Sequence, residues 1–364
     1  MAPWAMPGGL DTPVAVVDLP TLERNIARMA GALADRGVAL RPHAKTHKSV
    51  QVARRQLAAG AAGITTATIG EAEVFAAAGV TDIFVAYPVW PSPPKARRLA
   101  ALSGRCRLRV GLDSTDAAGP LGEVARAAGG LEVLVELDSG EGRTGVPDPA
   151  GAVAVADAAR RHGLDVAGVF THGGHSYSSA TAPGPAADDE VRTLLAAAAA
   201  LASAGHHVRV VSAGSTPTAV SSARDGVTEE RPGTYAFGDR QQVALGAAGP
   251  ADVALAVAST VVSVSAAAGR FVLDAGAKTL AKDSPETLVG FGALPAWPEA
   301  TIVRTYDHHA VADAGGAERP KPGDVVAVVP NHVCPVVNLA AELAIVADGR
   351  LIDRWPVDAA TRNR

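Results

Sequence analysis

The 364-residue sequence predicts an α/β protein made of a (β/α)8 TIM-type barrel and a mostly antiparallel β domain. Three observations carry this. Short apolar runs alternate with helix-length stretches eight times over roughly 230 residues, the length of such a barrel. The runs are rich in valine and leucine without polar alternation, which suits parallel strands buried on both faces. After about residue 251 the helical stretches stop, and strand-like segments follow one another with only turn signals between them. The expected division is residues 20–250 for the barrel, with 1–19 and 251–364 for the β domain.

In chain order, a strand at 12–18 precedes the first helix and could pair with either part. A helix follows at 21–36, with Thr21 as its N-cap. Barrel strands are expected at 38–42, 63–68, 82–87, 106–112, 131–137, 166–171, 207–212 and 228–235. Helices between them include 70–78, 148–162 and 188–204. The last strand contains three charged residues and Pro232, an unusual content for a buried strand. Strands of the β domain are expected at 253–264, 269–274, 301–306, 324–330 and 343–346.

A formal net charge of −4 gives no basic footprint for nucleic acid or an acidic membrane surface. The first nine residues lack the charged start and apolar core of a signal peptide. The alanine-rich run at 194–204 is too short to span a bilayer. Cys106 and Cys334 are the only cysteines, so a disulfide framework is not expected and a cytoplasmic location is.

The chemistry starts at Arg41-Pro42-His43-Ala44-Lys45-Thr46-His47-Lys48, which closes the first barrel strand. Only six of the 33 cationic side chains are lysines. Arginine stays protonated near neutral pH, whereas a partly desolvated lysine can lose its proton and form an imine. Barrel active sites are built where strands end at the C-terminal face. There fall Lys45 and His43, Asp138 and Arg143, and His172, His175 and Tyr177. Gly214-Ser215-Thr216 and Gly233-Thr234-Tyr235 follow the seventh and eighth strands, where barrels frequently hold a phosphate. Gly-Ser-Thr alone is equally an ordinary helix N-cap. Paired with an imine-capable lysine, it becomes a pyridoxal phosphate site.

A second constellation is Asn331-His332-Val333-Cys334-Pro335. On an extended segment His332 and Cys334 point to the same side and could share one ion, and imidazole with thiolate suits zinc. The plainer reading is a buried structural cysteine beside a histidine. His308 and His309 could add a ligand or form an exposed turn. Lys278 and Lys48 are rival imine lysines, the first in the β domain and the second further into its loop.

These residues resemble the fold-type III pyridoxal phosphate enzymes of the D-serine dehydratase and D-threonine aldolase group, distant relatives of alanine racemase. The resemblance runs from Asp11 to Leu339. It assigns the cofactor lysine to Lys45 and brings Arg143, in Glu136-Leu137-Asp138-Ser139-Gly140-Glu141-Gly142-Arg143, near the cofactor's phenolic oxygen. It implies that His172 and Tyr177 face the cofactor. Its phosphate loops resemble the segments holding Gly214, Ser215 and Thr216 and Gly233, Thr234 and Tyr235. Its metal motif resembles His332 and Cys334. Two departures, Asp307-His308-His309-Ala310 and Gly238, lie where the group recognises its substrate.

The resemblance implies a pyridoxal 5'-phosphate- and Zn2+-dependent lyase acting on D-3-hydroxy amino acids. D-serine dehydratase is the leading expectation and D-threonine aldolase the alternative, ahead of a racemase or a non-catalytic cofactor-binding protein. Lys45 would then move the α-proton and Tyr177 would tune the electron sink. A homodimer, in which one subunit's β domain caps the other's barrel, is also implied.

Overall fold

The computed structural model describes Trp4, residues 6–316 and residues 319–364. The chain divides into two compact units. The first comprises Met1–Ala27, Thr46–Val52 and Thr234–Thr361, and the second Arg28–Lys45, Ala53–Gly233 and Arg362–Arg364.

The second unit holds eight parallel strands: β2 (Ala39–Leu40), β3 (Ile64–Thr66), β4 (Asp82–Pro88), β5 (Arg107–Leu112), β6 (Glu132–Leu137), β7 (Asp165–Thr171), β8 (Val210–Ala213) and β9 (Glu229–Glu230). β1 (Val14–Asp18) precedes them in the chain. The parallel strands are ordered β2-β9-β8-β7-β6-β5-β4-β3. A parallel bridge between His43 and Thr65 brings the two ends together. Leu40 and Pro42 carbonyls also accept the N–H groups of Ala62 and Thr65. The sheet therefore closes into the expected (β/α)8 barrel. Five of the six residues of β6 and six of the seven of β7 are buried, as strands covered on both faces must be.

The helices between the strands begin where the sequence offers caps. α1 (Leu19–Ala34) starts two residues before its expected position, because Asp18 Oδ1 accepts the Thr21 N–H at 3.0 Å and takes the capping role given to Thr21. α2 (Val50–Ala58), α3 (Ile69–Ala77), α4 (Pro93–Ser103), α5 (Thr115–Ala128) and α6 (Pro149–Arg161) follow. Asp148 caps α6 through the Gly151 N–H at 2.8 Å, with Pro149 in the first turn where its missing donor costs nothing. α7 (Pro183–Ser203) begins five residues before the expected 188, since Pro183 and Pro185 fall inside its first turn. α8 (Ala219–Ser222) completes the set.

The eighth barrel strand is only two residues long, against the expected 228–235. Pro232 has no N–H for the ladder, and the chain turns into a 3-10 segment at Thr234–Ala236. Its charged content is accommodated by pairing. Arg41 Nε donates to Glu229 Oε2 at 2.8 Å and Arg41 Nη1 to Asp82 Oδ1 at 2.7 Å. Arg109 lies 3.4 Å from Glu229 and 3.0 Å from Glu132. Burial would push Glu229 upward, but Arg41 and Arg109 hold its carboxyl below the usual range. A Cβ on Gly63, at φ +157°, would lie 2.3 Å from Arg41 Nη1 and 2.6 Å from the Asp82 carbonyl oxygen, so glycine is required there.

The first unit is built on a second eight-stranded sheet, ordered β12-β13-β11-β10-β1-β15-β16 with β14 pairing β10. Its further members are β10 (Leu255–Ser265), β11 (Arg270–Leu273), β12 (Thr301–Thr305), β13 (Ala310–Asp313), β14 (Val325–Val328), β15 (Glu342–Ala347) and β16 (Arg350–Pro356). β1 pairs antiparallel with β10 and parallel with β15, and the remaining pairs are antiparallel. Val16, Ala258, Ala344 and Val346 form a buried cluster, covered by Trp4, Met6, Leu10 and Val14. Short helices α9 (Arg240–Ala244), α10 (Ala277–Leu280) and α11 (Val333–Leu339) accompany the sheet. β13 and β16 were not anticipated. β13 is a four-residue Ala-Val-Ala-Asp run, and β16 is an exposed edge strand carrying Arg350, Asp353 and Arg354. Among the described residues, no helix is long and apolar enough to cross a membrane.

Candidate active site

In the barrel unit the expected residues collect where the parallel strands end. Lys45 lies in a 3-10 turn, Ala44–Thr46, just after β2, and its backbone N–H donates to His43 Nδ1 at 3.4 Å. Pro42 stops the strand and Ala44 is fully buried, so the turn is anchored while the Lys45 side chain remains half-buried. Arg143 stands 53% exposed on the loop after β6, with Glu141 at 3.4 Å. His172 and Tyr177 follow β7, their rings 6.5 Å apart. His172 Nδ1 lies 3.4 Å from the Gly214 carbonyl, which makes the donor tautomer at Nδ1 the matching one. Ser176 and Ser215 hydroxyls are 3.1 Å apart and bring the segments after β7 and β8 together.

The charged groups that shift His172 are cationic. Burial pushes His172 well below its ordinary value. Lys45, Arg143 and Arg231 push it further, against the hydrogen bond to Gly214. His172 is thus a neutral imidazole with three cations acting on it. Arg231 opens the Arg-Pro-Gly-Thr-Tyr run at the end of the eighth strand, which the sequence marks for phosphate without a role for the arginine itself. It is fully buried, donates from Nε to Ser212 Oγ at 2.9 Å and also to the Thr171 carbonyl. Its guanidinium lies 5.3 Å from the Phe170 ring centroid and 5.8 Å from that of Phe84. The Arg-Pro-Gly run at a strand end was the available signal.

Gly214 and Ser215 are buried with Thr216, and Ser215 is held by Thr218, whose Oγ1 accepts the Ser215 N–H at 3.1 Å. Gly233 ends the barrel unit and Thr234 begins the other. Tyr235 is buried within the 3-10 turn that opens at Thr234.

The rival lysines have other occupations. Lys48, at φ +48°, is buried, and its Nζ donates to Asn338 Oδ1 at 2.6 Å. Lys278 is more than half exposed beside Asp307 at 3.3 Å. His308 and His309 sit in the exposed connection between β12 and β13, closed by the Tyr306 N–H to His309 carbonyl bond.

In the first unit His332 and Cys334 do come together, though not on an extended segment. His332 keeps extended backbone at the N-cap of α11, and Cys334 is the second residue of that helix. Asp239 Oδ2 accepts the Val333 N–H at 3.0 Å, supplying the cap that starts the helix so early. The two side chains are hydrogen-bonded to each other. His332 Nδ1 is 2.7 Å from Asp283 Oδ2, which commits that nitrogen and leaves Nε2 for Cys334 or an ion. Cys334 Sγ is 3.3 Å from Thr46 Oγ1 and 4.0 Å from Thr234 Oγ1. Burial would lower His332, but Cys334, Asp283 and Asp239 raise it to about 11. A pocket with that much negative charge fits a cation, and imidazole plus thiolate is a donor set for zinc. Among the described residues there is no cluster of three or more His, Cys, Asp or Glu with metal-holding geometry. Two protein ligands would leave positions on an ion for water or substrate. Asp283, 49 residues before its histidine in a loop without a pattern, gave no sequence signal.

The family model described as alanine racemase, N-terminal domain, matches residues 17–241, and a serine dehydratase domain model matches 254–346. D-threo-3-hydroxyaspartate dehydratase of Delftia sp. (strain HT23) is 38% identical, over 95% of this chain and 97% of its own length. D-threonine aldolase of Arthrobacter sp is 36% identical, over 99% and 96%. A structure of a D-threo-3-hydroxyaspartate dehydratase cysteine-to-alanine mutant, described as metal-free, superposes with a TM-score of 0.89 at 35% identity, over 96% of this chain and 97% of that one. The chain belongs to the alanine racemase-like, fold-type III pyridoxal phosphate enzymes.

Proposed function

We propose that this protein is a pyridoxal phosphate- and divalent metal-dependent lyase acting on small D-3-hydroxy amino acids, with dehydration to a keto acid and ammonia as its reaction and D-serine as its substrate. The observation that carries this reading is the His332–Cys334 pair, with Asp283 on His332 Nδ1 and the Thr46 hydroxyl 3.3 Å from the thiol. Thr46 is the residue after Lys45 in the chain. A non-catalytic cofactor-binding protein has no use for such a pair.

Pyridoxal phosphate, when bound, supplies the electron sink for the bond broken at the α-carbon, and a divalent cation supplies Lewis acidity at the β-hydroxyl. The chain's own residues do the rest. Lys45 provides the amine that anchors the cofactor, and its Nζ then takes the α-proton. Arg143, Arg231 and Lys45 supply the positive field that receives an anionic cofactor. His172, held neutral, can donate or accept without adding charge. Ser215 and Thr216 follow β8 and Gly233 follows β9, the segments where barrels frequently hold a phosphate, and Tyr177 stands beside His172. His332 and Cys334 would hold the metal, with Asp283 fixing the ring.

A second reading is D-threonine aldolase, favoured by the 36% identical relative. The thiolate ligand argues for dehydration, since it makes a softer site than one built from oxygen ligands. Incubation with D-serine, D-threonine and D-threo-3-hydroxyaspartate decides between them. Pyruvate, 2-oxobutanoate or oxaloacetate with ammonia is expected. Glycine and acetaldehyde from D-threonine would replace the dehydratase with the aldolase, and turnover of 3-hydroxyaspartate alone would replace D-serine as substrate.

A further inference from the structure

Two buried carboxyl groups of the barrel unit have no part in the chemistry above. Glu190, on α7, is fully buried. Its Oε1 accepts the Gly173 N–H at 2.8 Å and the Gly214 N–H at 3.1 Å. Gly173 follows His172 after β7, and Gly214 opens the Gly214-Ser215-Thr216 segment after β8. The β7–β8 ladder ends at Phe170 and Ser212, so beyond it one carboxylate oxygen takes over the joining of the two segments. The second carboxyl, Glu230, lies against the other side of Gly214, and its Oε1 accepts the Ser222 hydroxyl at 2.8 Å.

These carboxyls explain both glycines. A Cβ on Gly173 would lie 2.6 Å from Glu190 Cδ, and one on Gly214 would lie 2.2 Å from Glu230 Oε2. Gly214 also has φ +108°. The charged groups facing the pair are Arg231 and Glu229. Burial pushes both carboxyls upward, Glu230 the further because Glu190 faces it. The Thr218 hydroxyl and the two N–H donors favour Glu190 as the ionised member and leave Glu230 as the neutral acid. The Gly214 N–H, being directed to Glu190, is not available to a phosphate.

We propose that Glu190 is a positioning residue: by accepting the Gly173 and Gly214 N–H groups on one oxygen, it sets the phosphate-receiving segment against His172. This rests on the pyridoxal phosphate reading above. The test titrates the full-length apoprotein with pyridoxal phosphate and, separately, with pyridoxal, which lacks the phosphate. In Glu190→Ala the affinity for pyridoxal phosphate is expected to fall about tenfold or more, the scale of losing charge-assisted hydrogen bonds. Pyridoxal affinity should change much less, so the ratio of the two falls. Glu190→Gln, whose amide oxygen still accepts, should restore most of the ratio. Gly173→Ala, which displaces the carboxyl by contact, should lower the ratio with Glu190 intact and serves if Glu190→Ala fails to fold. An unchanged ratio in both Glu190→Ala and Gly173→Ala, an equal loss of both ligands, or a Gln variant as damaged as the Ala variant would overturn the proposal. Wild-type protein that binds pyridoxal phosphate no better than pyridoxal would instead overturn the phosphate reading itself.

Discussion

His172 and His332 are the same side chain in opposite fields. In the barrel unit, burial and the cations Lys45, Arg143 and Arg231 hold His172 neutral. In the first unit, Cys334, Asp283 and Asp239 overcome the cost of burial and keep His332 protonated, at about 11. The charges around the two rings are of opposite sign. The lesson is that a histidine in a motif says little until the charges its fold gathers are known. Here those charges agree with a phosphorylated cofactor in one region and a metal ion in the other.

The largest expected effect tests the cationic side. Lys45→Ala should lower turnover by about 10³-fold or more and remove the visible absorbance of lysine-bound pyridoxal phosphate. Activity within tenfold of wild type would shift the role to another lysine. On the anionic side, Cys334→Ala should abolish stoichiometric metal and lower activity about 10²-fold or more, read by metal analysis alongside the assay. A variant that keeps both would remove Cys334 from the site. Asp283→Asn should have a smaller effect, about 10–100-fold in metal affinity, because it loosens the His332 ring without removing a ligand. Unaltered affinity in a chelator competition would make Asp283 incidental.

The smallest effect concerns stability in the barrel unit. Glu136 is buried at the end of β6, with its carboxyl pushed up to about 7 by burial against the opposing Thr144, Arg143 and Arg231. Its folded value lies above its unfolded one, so its contribution is fully present below about 4.5 and lost as pH rises through about 7. Glu136→Gln should therefore stabilise the apoprotein at pH 8 relative to pH 5, by about 1–3 kcal/mol. Equal shifts in thermal midpoint at the two pH values would contradict this. For metal-free protein the His332 sign is similar: its raised value stabilises below about 6.5, and that is lost as pH rises toward about 11. With a third of the His332 side chain exposed, solvent screening reduces the size of this effect.

Much of the fold was legible because barrel strands and helices are local patterns. The valine-rich runs of β4 to β7 and the cap at Asp148 needed no tertiary information. The positions of Lys45, Arg143 and His172 after strand ends were legible from the strand pattern, and the His332–Cys334 pairing from the motif. What failed was set by partners distant in sequence. β9 shrank to Glu229–Glu230 at a proline, and Arg41 is what lets Glu229 stay buried. Cys334 sits on a helix because Asp239, 94 residues before Val333, caps it. The octapeptide gave no sign that Asn338, 290 residues on, accepts from the Lys48 ammonium. Composition and periodicity therefore determined the layers and the chemical vocabulary of this protein. Only the tertiary structure decided which buried charges face each other, because Coulomb and hydrogen-bond terms depend on separations that sequence distance does not encode.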